Sequence, residues 1–114
     1  MSVSAFAPIV APAAVPWGRK ALAGYLGADR DRWRDYDACL LIEDGRRVRE
    51  VLIDQGTADP FIESQLQPER FERACRTAAI PLELRLQPGY DHGYYFVATF
   101  IEHHLRWHHA RLTA

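Results

Sequence analysis

The apolar positions of this chain change period along its length, and the changes divide it into elements. Leu82, Leu84 and Leu86 alternate with Glu83 and Arg85, the period of a half-buried strand. Pro88 and Gly89 break that pattern and turn the chain. From Tyr94 or Tyr95 to about Leu112 the period lengthens: Val97, Ile101, Leu105, His108 and Leu112 recur at helical spacing. Earlier, Arg49 to Asp54 contains the unbroken apolar run Val51, Leu52, Ile53, which suits a parallel strand covered on both faces. Val3 to Ala7 is short and apolar and reads as a strand of the same kind.

Between these strands lie helical stretches and breakers. Pro8 to Pro16 is a proline-punctuated loop. Trp17 to Leu26 reads as a short helix stopped by Gly27. Asp29 to Ile42 reads as one further helix with Asp29 as its N-cap. Its buried face would draw on Trp33, Tyr36, Leu40 and Leu41, and Gly45 ends it. Pro68 opens the next helix, since proline tolerates the first helical position; Phe71, Ala74, Cys75 and Ala78 fall on one side of it. Strand, helices, strand, helix, strand, helix is the order of an α/β chain with parallel strands and right-handed crossovers. Three strands with flanking helices, ending in a long helix, are therefore expected.

Composition narrows the class. At 114 residues, 48% hydrophobic and 25% charged, the chain is one small globular domain and not a disordered segment. A formal net charge of −1 supplies no electrostatic attraction to nucleic acid or an anionic membrane. Cys39 and Cys75 form no CxxC pair and suggest reduced thiols in a cytoplasmic protein. No stretch reaches the roughly 20 apolar residues of a membrane span. Met1 to Trp17 is apolar, but its first basic residue is Arg19 and it carries Pro8, Pro12 and Pro16. A buried strand and a loop fit it better than a signal peptide.

The candidate chemistry sits after the second and third strands. Gly89 to Phe96 reads GYDHGYYF and places His92 on a strand-to-helix loop, the end of a parallel sheet where ligands bind. An imidazole there titrates near neutrality and can shuttle protons; beside three tyrosines it could equally be a hydrogen-bonded structural residue. Asp59 follows the second strand by a short turn. An acid after one strand and a histidine after the next match the order of the later two members of a Ser…Asp…His triad in an α/β-hydrolase. Asp54 ends its strand and suits backbone capping; Asp91 adjoins His92, and loop neighbours seldom bring carboxylate and imidazole face to face. His103, His104, His108 and His109 lack the H-E-x-x-H order and a third ligand. They read as a solvated helix end, favourable to the helix dipole, and no metal site is expected. Cys39, on an amphipathic helix, reads as a buried structural thiol. No G-x-S-x-G occurs, and the serines are Ser2, Ser4 and Ser64.

Several blocks carry a family resemblance: SVSAFAPI (Ser2 to Ile9), PWG (Pro16 to Gly18), YLG (Tyr25 to Gly27), DQGTADPF (Asp54 to Phe61) and LQPGYDHGYYFVATF (Leu86 to Phe100). Together they resemble the S-formylglutathione hydrolase family, also called esterase D, among the α/β-hydrolases. The resemblance implies that residues 1–114 form the C-terminal portion of an α/β-hydrolase domain, holding the last three strands of an eight-stranded sheet. The half with the nucleophile elbow would be absent. It carries the catalytic acid onto Asp59 and the catalytic histidine onto His92. Trp17, after a loop near the family's site, would line the acyl pocket or simply pack. The implied substrate is a small thioester or ester, with no cofactor, and the implied reaction is cytoplasmic formaldehyde detoxification. The chain alone, lacking the serine, is expected to be inactive. Homo-oligomerisation, or association through an exposed sheet edge, is the expected partner behaviour. Two other readings stay open: a short-acyl carboxylesterase on the same fold, and a non-catalytic truncated hydrolase.

Overall fold

The computed structural model describes residues 1–113. Strands β1 (Ser2–Phe6), β2 (Glu50–Gly56) and β3 (Leu82–Gln87) form one parallel sheet in the order β1-β2-β3. Ser2 to Phe6 pair with Glu50 to Asp54, and Val51 to Gly56 pair with Leu82 to Gln87. Five α-helices follow the expected order: α1 (Pro16–Leu26), α2 (Arg30–Trp33), α3 (Ala38–Glu43), α4 (Pro68–Thr77) and α5 (Tyr94–Leu112). The architecture is thus three parallel strands with flanking helices, closed by a long helix.

Strand β2 lies between the other two and is buried from Val51 through Gly56. That explains its unbroken apolar run: helices cover both its faces. On one face Ala5, Val51, Ile53, Leu82 and Leu84 pack with Val10, Ile80 and the α4 residues Phe71 and Cys75. Each fully buried Leu or Ile contributes about 1.5–3 kcal/mol relative to exposure. On the other face, Ala7, Leu66 and Phe96 form a second cluster. Gly27, at φ 82°, closes α1 with its N–H on the Ala23 carbonyl.

The single helix expected over Asp29 to Ile42 is broken. Asp29 does cap α2, accepting from the Asp31 N–H at 3.1 Å. A 3-10 turn, Arg34–Tyr36, then leads to Asp37 in extended conformation, and α3 starts anew. Asp37 is the cause. Its buried Oδ1 accepts from the Leu40 N–H at 2.9 Å, and its Oδ2 accepts from the Ala13 N–H at 3.0 Å. An aspartate that can bond nearby backbone competes with helix continuation and favours a cap. Asp37→Ala is expected to cost about 1–2 kcal/mol in urea denaturation. A loss under a few tenths would show that the break has another origin.

Helix α5 spans the expected residues but turns a different face to the sheet. Phe96, His104 and Trp107 are buried, whereas Leu105 is 63% and Leu112 83% exposed. The buried set is displaced by one residue, about 100° of rotation. The reason lies in the sheet, whose α5 side carries polar groups. His108 reaches Ser2 (Nδ1–Oγ 3.2 Å) and Ser4 (Nε2–Oγ 2.9 Å), and Arg111 donates to Glu50 at 2.6 and 3.0 Å. Polar partners set the rotation, and part of the leucine stripe stays outside.

Candidate active site

The loops after β2 and β3 are joined at close range, and Gly56 permits it. A Cβ at Gly56 would stand 2.2 Å from the Tyr90 carbonyl oxygen, so only glycine allows this approach. Three bonds hold the loops together. The Thr57 N–H donates to the Gln87 carbonyl at 3.0 Å, the Ala58 N–H to the Tyr90 carbonyl at 3.0 Å, and the Gly89 N–H to Thr57 Oγ1 at 3.1 Å.

This junction brings Asp59 and His92 together. His92 Nδ1 lies 2.8 Å from Asp59 Oδ2. The carboxylate side chain is fully buried, while the imidazole is 39% exposed. Asp59 Oδ1 accepts from the Phe61 N–H at 2.8 Å, an Asx-type turn. Oδ2 also accepts from Gln55 Nε2 at 3.2 Å. A carboxylate oxygen accepts, so in this contact Nδ1 is the donor and Nε2 is the nitrogen that faces away from Asp59. His92 lines an open cavity of about 370 Å³ with Phe6, Ala7, Gly93, Tyr94, Phe96 and Val97. Ala7, at the carboxyl end of β1, is held at φ 45°, a left-handed conformation that costs a non-glycine residue about 1–2 kcal/mol. A larger cleft of about 640 Å³, between Thr57, Ile62 and the α4 residues Arg70 and Arg73, contains neither Asp59 nor His92.

Trp17 stands near this pair but does not line the His92 cavity. Its backbone N–H donates to Gln65 Oε1 at 2.8 Å, which fixes the start of α1. Its ring packs on Phe61 at 4.4 Å between centroids, and Phe61 meets the His92 ring edge-on at 5.8 Å. The three rings form a continuous aromatic wall.

Two other residues stand where the sequence did not put them. Asp54 is no backbone cap; it is the centre of a buried charge cluster. Arg85 donates to both its oxygens at 2.8 and 2.7 Å, Gln87 to Oδ1 at 2.9 Å, and His104 Nε2 lies 2.7 Å from Oδ2. Burial would push this carboxyl's pKa up, but the bonds from Arg85, Gln87 and His104 together hold it below the usual range. His104 is likewise no solvated helix residue: it is 2% exposed and stacked on Phe6 at 3.9 Å. Burial outweighs the pull of Asp54 and lowers its pKa, so it is neutral near pH 7 and donates from Nε2. The sheet supplies a carboxylate at the depth of α5 that periodicity cannot anticipate.

The other candidates separate cleanly. Ser2 and Ser4 touch His108, but they belong to the amino-terminal part of β1, away from the carboxyl ends of the strands where Asp59 and His92 lie, and both ring nitrogens are occupied. Burial, then the nearby Asp37 carboxylate, pushes the Cys39 thiol up to about 12, the reverse of an activated nucleophile. Among the described residues no group of three His, Cys, Asp or Glu could hold a metal ion, and no helix is long and apolar enough to cross a membrane. Gln55 and Gly56 escaped the sequence reading as site residues. Their only signal is their place at the end of a strand that runs into Asp59.

The Esterase family model, described as "Putative esterase", matches residues 1–110. An S-formylglutathione hydrolase from Agrobacterium tumefaciens superposes with a TM-score of 0.94 at 57% sequence identity. The match covers 97% of this chain and 40% of that enzyme. Esterase B from Lactobacillus rhamnosis, studied with a tributyrin phosphonate inhibitor, superposes with a TM-score of 0.61 at 17% identity, over 76% of this chain and 28% of that one. At that identity the likeness shows the fold alone. The matched length and the parallel sheet agree: this chain belongs to the esterase family, and its strands and helices form part of an α/β-hydrolase.

Proposed function

We propose that this chain carries the acid and the base of a serine thioesterase acting on S-formylglutathione, and corresponds to the C-terminal portion of the domain. The observation that carries this is the 2.8 Å contact between the buried Asp59 carboxylate and His92 Nδ1. It occurs in a chain 57% identical to an S-formylglutathione hydrolase. In the reaction, a serine from the part of the enzyme beyond this match attacks the formyl carbonyl. His92 Nε2 takes the serine proton and gives it to the departing thiolate. Asp59 keeps the imidazole in the Nδ1–H tautomer and stabilises its cation. Water, deprotonated by the same imidazole, then releases formate and restores the serine. Trp17 and Phe61 form an apolar wall beside the reacting acyl group. The two free cysteines, Cys39 and Cys75, support a cytoplasmic setting for the reaction.

A short-acyl carboxylesterase is the second reading. It is favoured by the cavity beside His92, where the aromatic and aliphatic residues Phe6, Ala7, Phe96 and Val97 offer no charged side chain to a glutathionyl group.

The test is a turnover assay with S-formylglutathione and an aryl acetate. The 114-residue chain alone is expected to show no measurable hydrolysis, because serine and oxyanion donors carry most of such catalysis. Joined to the part of the A. tumefaciens hydrolase that it does not match, it is expected to turn over. The outer edge of β1, which pairs with no strand among the described residues, is where the added strands would pair. Robust activity in the lone chain, or a folded but silent fusion, would sink the proposal. The ratio of the two substrates decides between the readings.

A further inference from the structure

We infer that Gln55 is a positioning residue for the Asp59–His92 pair, fixing the carboxylate from the strand side through its side-chain amide. The inference rests on the reading of that pair as acid and base. Gln55 is fully buried at the carboxyl end of β2. Its Nε2 donates to Asp59 Oδ2 at 3.2 Å and to the Gly56 carbonyl at 3.1 Å. Both amide hydrogens are therefore used, and the amide plane is fixed by the backbone at the strand end.

Asp59 sits on a turn, and a turn alone is a poor support for a catalytic geometry. Its Oδ1 is held by the Phe61 N–H from within that same turn. Among the described residues, Gln55 supplies the one side-chain bond that ties Asp59 to the sheet. It shares Oδ2 with His92, so it sets the direction from which the imidazole must approach. An amide nitrogen can only donate to Oδ2, so Oδ2 meets the imidazole as an acceptor and His92 Nδ1 is the donor in that contact.

The test uses the isotope-labelled 114-residue chain and the His92 Nδ1–H resonance in NMR. Asp59→Asn is expected to remove or shift that resonance. Gln55→Met keeps the volume and loses the donor; Gln55→Leu is a second apolar variant. Both are expected to broaden or lose the resonance and to populate the Nε2–H tautomer, while the His104 signals stay in place. In the fusion enzyme, either variant should lower kcat by about 10- to 100-fold, with KM nearly unchanged, as expected for loss of alignment. If both Gln55 variants keep the resonance and kcat while Asp59→Asn loses them, the role of Gln55 is refuted and the acid–base pair stands. If Asp59→Asn changes neither, the pair itself is wrong and Gln55 falls with it. If both Gln55 variants unfold, the residue supports the core and not the pair, which also overturns the inference.

Discussion

In the fusion enzyme, His92→Ala is expected to lower turnover by about 10⁶, and Asp59→Asn by about 10⁴. The first figure follows from the way a triad works as a unit: removing the histidine costs nearly as much as removing the serine. The second follows from the tautomer. Asparagine keeps the shape of Asp59 but offers an amide hydrogen that can turn toward Nδ1. The ring then carries its hydrogen on Nε2, the nitrogen that must accept the serine proton. Geometry supports both figures. Nδ1 is bonded at 2.8 Å to an oxygen with no exposure of its own, so solvent cannot substitute for it. Asp91 is adjacent in sequence but makes no bond to the ring among the described residues; its Oδ1 lies against Gly93 instead. Asp91→Asn is expected to leave kcat/KM near that of the parent. A fusion that tolerates His92→Ala, or that fails with Asp91→Asn as badly as with Asp59→Asn, would show that the wrong residues have been chosen.

The second large effect concerns stability. Asp54→Ala is expected to cost about 3 kcal/mol, measured by urea denaturation, because it leaves buried donors without an acceptor. Arg85, Gln87 and His104 all point at this carboxylate. The lower part of the usual range applies because the Arg85 side chain is 25% exposed and can recruit water. A loss below about 1 kcal/mol would mean that the cluster relaxes into solvent, against the usual cost of breaking a buried pair.

The same cluster sets a pH dependence. The folded pKa of His104 lies below its ordinary value, so on acidification the unfolded chain binds that proton first. Stability is lost as pH falls below about 6.5. The folded pKa of Asp54 is also lowered. Its contribution is complete above the ordinary carboxylate range and is lost as pH falls below about 4 toward the folded pKa. Both act in the same direction. Melting temperature should decline from pH 7 to pH 5, and His104→Gln should flatten that slope. An unchanged slope would show that other histidines carry it.

How far the chain can be read without its structure depends on how far apart the interacting residues are. Period alone identified β3, and an unbroken apolar run identified β2 as covered on both sides. Pro68 and Gly27 marked helix ends where they stand. That Asp59 and His92 would lie at one end of the sheet was legible because each follows a strand by a short turn, and parallel strands put such turns at one end; the preference for Asp59 over Asp54 and Asp91 rested on the family motif. All of this is local, because backbone geometry couples each residue to its near neighbours. Asp37 is the local signal misread: a capping aspartate inside an apparently continuous helical pattern.

The remainder required the fold. His104 and Asp54 are separated by 50 positions and Arg85 and Asp54 by 31; no window of sequence contains either pair. Periodicity assumes that a helix turns its most apolar side inward. Here α5 turns by one residue because the sheet beneath it presents Ser2, Ser4, Glu50 and Asp54 to its histidines and Arg111. Gly56 is an ordinary turn glycine until the Tyr90 carbonyl is seen above it, and Gln55 is an ordinary polar residue until Asp59 folds back onto its amide. The sequence determined most of the elements that form and at which end of the sheet Asp59 and His92 lie, through torsion and period. Which side chain faces which was decided only by packing, because a buried donor or charge must find its partner wherever the rest of the chain has put one.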